Sequence, residues 1–95
     1  MRLVLYSKPG CHLCEGLAEK LAQVQAVAIA LEIRDITTRD EWWQQYQYEI
    51  PVLCVEQADG ADDAVRLVPL PRLSPRGSVR QLEQMLQKYQ NDPAQ

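Results

Sequence analysis

The chain has 95 residues, 46% of them hydrophobic, with ten Lys+Arg against thirteen Asp+Glu and a formal net charge of -3. That length and composition suit one small domain that buries its own core without a structural metal or disulfides. A slightly acidic chain offers no basic stripe for a phosphate backbone, and the opening LVLY is too short for a secretion signal or a membrane span, so neither nucleic acid nor membrane is expected as a partner and the expected location is cytoplasmic.

Residues 2 to 6 (RLVLY) form a short apolar run ending in Ser-Lys-Pro-Gly, the pattern of a buried strand feeding a turn. After Cys11 the period changes. Leu13, Cys14, Leu17, Ala18, Leu21 and Val24 share one helical stripe, and Glu15, Glu19, Lys20 and Gln23 fall opposite, which predicts a helix from about His12 to Gln25. Ala28 to Ile36 alternates, with Ile29, Leu31 and Ile33 on one face and Glu32 and Arg34 on the other, as a strand near a sheet edge would. Thr38 and Glu41 have capping-box spacing and predict a short helix from about Arg39 to Tyr46.

Pro51 opens the run VLCVE, and proline is tolerated at the first position of a strand. Gln57 to Asp63 reads as an acidic, solubilising turn, and Val65 to Val68 returns as the second strand of a hairpin, stopped by Pro69 and Pro71. Val79, Leu82, Met85, Leu86 and Tyr89 mark a last amphipathic helix, capped by Ser78 and Gln81 unless Ser74-Pro75 starts it earlier. The element order is βαβαββα over residues 1–90, followed by a polar tail at 91–95.

Three cysteines are too few and too odd in number for a secreted disulfide scaffold. Two of them lie in YSKPGCHLCE, where Cys11 and Cys14 fit a redox couple, half of a metal site, or two buried sulfurs. A thiol attacks only as its thiolate, and Cys11 lies where the first helix begins, so free N–H groups and the positive end of the helix dipole face its sulfur. Lys8 adds positive charge. Cys14, one turn on, lies on the stripe with Leu17 and Leu21 and is placed to attack a mixed disulfide formed on Cys11. A zinc site needs two further ligands, for which only His12 and Cys54 offer themselves, and no metal site is expected. Burial explains Cys14 but not a cysteine that follows a Pro-Gly turn.

LVLYSKPGCHLCEGLAEKL resembles the start of a glutaredoxin-like protein of the thioredoxin superfamily, and YEIPVLCV resembles the strand start at which that superfamily places a cis-proline beside its active site. The resemblance implies an α/β thioredoxin-like fold, a four-stranded mixed sheet flanked by three helices on both faces. It implies Cys11 as the attacking cysteine, Cys14 as the resolving one, Lys8 as a cationic helper and Pro51 as the cis-proline. The Ile50 backbone would then be free to pair with an extended substrate.

The implied activity is that of a dithiol thiol-disulfide oxidoreductase acting on a disulfide-containing protein or a small thiol, as a monomer. Glutathione is the reductant the resemblance suggests, with no cofactor bound, because Pro71 to Ser78 stands where glutaredoxins carry the Gly-Gly pair and acidic residue that hold it. The pair between the cysteines is His-Leu rather than the usual Pro-Tyr. The other class left open is a non-catalytic thioredoxin-fold binding module, or an iron-sulfur or metal-binding protein.

His12 is placed at the site rim, as a tuner of the thiolate or a solvated side chain. Cys54, alternating with Val52, reads as a buried sulfur. Of the adjacent Trp42 and Trp43, one is expected on the core near Tyr46 and the other partly exposed, as a docking surface or plain packing. Arg72 and Arg76 either meet an anionic ligand or are solvated.

Overall fold

The computed structural model describes residues 1–58 and 65–90. Its elements are β1 (Arg2–Ser7), α1 (His12–Gln23), β2 (Ala30–Asp35), a 3-10 turn (Ile36–Thr38), α2 (Asp40–Tyr46), β3 (Val52–Ala58), β4 (Val65–Pro69) and α3 (Val79–Gln90). Gln57 and Ala58, expected in the acidic turn, extend β3; the rest of that turn and the 91–95 tail lie outside the described residues.

The strands form one mixed sheet in the order β2-β1-β3-β4, with β1 parallel to β2 and antiparallel to β3, and β3 antiparallel to β4. Successive side chains of β1 point to opposite faces, yet Leu3, Val4, Leu5 and Tyr6 are all buried, because both faces are covered. Leu3 and Leu5 join Leu53 and Val55 against Leu21 of α1 and Leu82 and Leu86 of α3. Val4, Tyr6 and Cys54 join Ile36 beneath Trp42, Trp43 and Tyr46 of α2. Two helices on one face and one on the other make this the mixed α/β arrangement of a thioredoxin-like fold. No helix among the described residues is long and apolar enough to cross a membrane.

Local chemistry sets the element ends. Ser78 and Gln81 close a full capping box: the Ser78 N–H donates to Gln81 Oε1 at 2.9 Å and the Gln81 N–H to Ser78 Oγ at 3.1 Å. The helix therefore starts after Ser78 and not at Ser74-Pro75. The expected Thr38–Glu41 box does not form. Asp35 instead caps the intervening 3-10 turn through the Thr37 N–H, the Thr38 hydroxyl donates to the Asp35 carbonyl at 2.7 Å, and Arg39 precedes α2 without a side-chain cap. Pro69 occupies the last ladder position, opposite Cys54, on an edge strand where its missing N–H faces outward. The ladder's bonding continues one residue beyond it, with the Leu70 N–H on the Leu53 carbonyl at 2.8 Å.

Two apolar residues depart from their expected burial. Leu13, in the first turn of α1, is 52% exposed, and Ile33, on edge strand β2, is 56% exposed. Lys20, on the polar side of α1 in the sequence pattern, is half-buried instead, its ammonium donating to the Pro75 carbonyl at 2.6 Å and the Gly77 carbonyl at 2.7 Å. It thereby ties the segment before α3 to α1. Gly77 is buried there, and a Cβ on it would meet Leu73 Cγ at 2.9 Å.

Glu83 of α3 accepts the Gln25 and Ala26 N–H groups at 2.9 and 3.2 Å, and these bonds hold its carboxyl below the ordinary glutamate range. A lowered folded-state pKa contributes stability above the ordinary range that is lost as pH falls through the lowered value. Titrating urea denaturation from about pH 6 to about pH 3 is therefore expected to show the gap between the unmodified protein and Glu83→Gln closing on the acid side. Gly16 lies inside α1 with nothing within 4 Å of the position a Cβ would take. Gly16→Ala is expected to stabilise the fold by about 0.5–1 kcal/mol in the same assay, from backbone entropy alone.

Candidate functional site

The loop after β1 is shaped by its own residues. The Cys11 N–H donates to the Lys8 carbonyl at 3.2 Å, closing a turn with Pro9 second and Gly10 third. Gly10 has φ of +83°. That is the pattern of a type II turn, which takes proline at its second position and needs positive φ at its third. The turn delivers Cys11 to the cap position of α1, in extended backbone with φ -84° and ψ 100°.

There the Cys11 side chain acts as the cap. Its Sγ accepts the Cys14 N–H at 3.2 Å, while its carbonyl accepts the Glu15 N–H at 3.0 Å, the first turn of the helix. A sulfur in this place meets the free N–H groups and the positive end of the helix dipole, which favour an anion. Cys14 is buried, with 3% of its surface exposed, and Cys11 is half-buried. The two sulfurs are joined as a disulfide, with Cα atoms 5.3 Å apart.

The Ile50–Pro51 peptide is cis, the geometry the family resemblance implies. The Ile50 backbone is not free, however. Its N–H donates to the Tyr46 carbonyl at 3.1 Å, because the chain leaving α2 folds back on the last turn, where carbonyls lack helical partners. The Ile50 carbonyl faces Arg72 Nη2 at 3.5 Å. A strand added at this point would find the donor already engaged.

His12 stands at the rim with its side chain 94% exposed and its Nδ1 3.7 Å from a Glu15 carboxylate oxygen. Lys8, on the delivering turn, extends its ammonium to 5.7 Å from the Trp43 ring centroid. Trp42 and Trp43 do not divide into one core and one exposed ring: both are half-buried and packed against the second core. Tyr6 is the centre of that cluster, stacked on Tyr46 at 4.2 Å and edge-on to Trp42 at 5.7 Å. Burial, with Tyr6 beside it, pushes the Tyr46 hydroxyl up to about 12. Cys54 is buried beneath the same rings, and burial raises its thiol pKa, so it is kept in the form that does not attack.

Beside the cysteine pair a groove with a cavity volume of about 360 Å³ opens between α1 and the segment Leu70 to Pro75. Leu17, Leu53, Leu73, Leu82 and Met85 line it, with Lys20 and Arg72 among its polar groups. The sequence pattern singled out Arg72 but gave no sign of the groove, which exists only because the segment before α3 stands off from α1 while Lys20 holds its far end. Among the described residues, no three His, Cys, Asp or Glu side chains are grouped to hold a metal ion.

Comparison with known proteins agrees with this geometry. No curated protein matches the chain. It is similar to the X-ray structure of Northeast Structural Genomics target protein XcR50 from X. campestris, with 28% sequence identity and a TM-score of 0.58 over 90% of this chain and 96% of that one. A family model described as Glutaredoxin-like domain (DUF836) matches residues 2–87. A Cys-x-x-C pair opening the first helix, a cis-proline at the start of the third strand and a family match over nearly the whole length agree, and the chain belongs to the glutaredoxin-like domain family.

Proposed function

We propose that the protein is a thiol-disulfide oxidoreductase working through Cys11 and Cys14. The observation that carries this reading is the Cys11 sulfur, half-buried at the cap of α1, accepting the Cys14 N–H and bonded to a buried Cys14. In the reduced protein the N–H groups and dipole of α1 stabilise the Cys11 thiolate. That thiolate attacks one sulfur of a substrate disulfide, the other leaves as a thiolate, and a Cys11–substrate disulfide forms. Cys14, as its thiolate, then attacks Cys11 Sγ, the second substrate sulfur leaves, and two protons from water complete two substrate thiols. Two electrons pass to the substrate, and the protein is left with the Cys11–Cys14 bond.

Burial of Cys14 suits its second role, since it meets only what is already attached to Cys11. Lys8 and His12 line the approach, and the Pro51 turn faces it as the substrate-binding rim. The partners are disulfide-bearing molecules in a reducing compartment such as the cytoplasm, with the protein acting as a monomer. Glutathione enters as a reductant in solution and not as a resident group. The first turn of α3, where an anion would otherwise be held, spends N–H groups on its own Ser78–Gln81 box.

In the reduced, folded protein, Cys11 alkylation by iodoacetamide is expected to titrate well below the ordinary thiol value of about 8.5, with Cys54 reacting only after denaturant is added. A Cys11 titration at the ordinary value, together with no disulfide formed under mild oxidation, would refute the catalytic reading. Cys11→Ser is expected to abolish turnover of hydroxyethyl disulfide, and Cys14→Ser to accumulate a mixed disulfide visible by mass spectrometry.

A further inference from the structure

We propose that the groove along α1 binds a small disulfide carried on an apolar chain that ends in an anionic group. The inference rests on the oxidoreductase reading and names the substrate class of that site. Its volume of about 360 Å³ falls within the range of small-molecule pockets, and its walls are mostly leucine, methionine and proline with few polar groups, the usual composition of such pockets.

The groove runs beside the redox pair, reaching the two residues between the cysteines though not the sulfurs themselves. His12 and Leu13, the residues between the two cysteines, line its mouth, and Gly16, Leu17 and Lys20 carry it along α1. From His12 to Lys20 the helix rises about 12 Å at 1.5 Å per residue, room for a medium-length aliphatic chain laid parallel to it. Gly16 leaves the floor open, with nothing within 4 Å of its Cβ position.

Charge is distributed unevenly along that length. Beside the Ile50–Pro51 turn, Glu49 and Arg72 are both among the lining residues, and the exposed His12 stands beside Glu15. At the far end Lys20 is half-buried, its ammonium on two carbonyls. An ammonium has three donors, so two carbonyls leave both a donor and the full positive charge for an incoming carboxylate. Glu49 is the one acidic residue among the described lining residues, and it belongs to the turn before Pro51. A ligand with its disulfide at Cys11 and its carboxylate toward Lys20 meets apolar wall between them.

The rim argues for a small molecule over an extended peptide. Strand addition needs the backbone donor of the edge residue as well as its acceptor. Here the Ile50 N–H is engaged with Tyr46 and the Ile50 carbonyl faces Arg72. Binding energy must therefore come from the side groove, where buried apolar area contributes about 25 cal/mol per Å². The reaction is the exchange already described: the reduced protein gives two electrons to the ligand disulfide, which leaves as a dithiol or two thiols, and the protein ends as the Cys11–Cys14 disulfide.

The test uses the full chain, first reduced with dithiothreitol and freed of it, in single-turnover reactions with lipoate, lipoamide and hydroxyethyl disulfide. Lipoate is expected to react at least tenfold faster than lipoamide, which has the same ring and chain without the charge. Octanoate, which has no disulfide, is expected to slow lipoate competitively and to shift NMR signals of Gly16, Leu17 and Lys20. Gly16→Leu, checked for native folding by circular dichroism, is expected to lower the lipoate to hydroxyethyl disulfide rate ratio at least tenfold and to abolish the octanoate shifts. Equal rates for lipoate and lipoamide, or an unchanged ratio in the folded variant, would overturn the groove assignment while leaving the oxidoreductase reading in place. Failure of the unmodified protein to reduce any of the three disulfides would overturn both.

Discussion

The site depends on one interaction, the bond from the Cys14 N–H to the Cys11 sulfur at the opening of α1. A helix start leaves its first N–H groups without partners, and most helices satisfy one with an oxygen from Ser, Thr, Asp or Asn. This chain places sulfur there. In the proposed reaction the same cap geometry also serves the Cys11 thiolate, and the Pro9-Gly10 turn is what brings the sulfur to that place.

Burial then distinguishes three otherwise similar thiols. Cys11 sits on a turn and keeps part of its surface; Cys14, one turn along, faces the core; Cys54 lies in the middle of a strand beneath Tyr6 and Tyr46. A low-dielectric environment disfavours a thiolate, so burial pushes Cys54 toward the neutral form. The aromatic layer over Cys54 also fixes α2, and α2 in turn supplies the Tyr46 carbonyl that engages Ile50. Packing on the far face of the sheet therefore reaches the cis-proline turn.

The segment between β4 and α3 gives the site its individual character. Its prolines keep it out of the sheet and the helix alike, Lys20 holds its end against α1, and Gly77 passes so close to Leu73 that a Cβ has no room. At Pro71 to Ser78, where the sequence already departs from the glycine pair of the family it resembles, the chain has an apolar wall bearing one arginine on the Ile50 carbonyl.

Much of this was legible in the residues alone. The period change at Cys11, the Ser78–Gln81 cap and the Cys-x-x-C spacing are local properties, set by neighbours within a turn, and each reappears in the structure, whereas the alternation expected of β2 does not appear in its burial. Other features were decided only by tertiary structure, because they join residues far apart in the chain. Lys20 looked solvated until Pro75 and Gly77 came to it; Trp42 and Trp43 are both half-buried against the cluster that Tyr6 joins; the Ile50 N–H was spent on a carbonyl that only the fold of α2 brings near. A sequence fixes which groups need partners, through backbone and side-chain chemistry. Which partner satisfies each is settled where distant segments meet, and the groove, made wholly of such meetings, had no local signal to read.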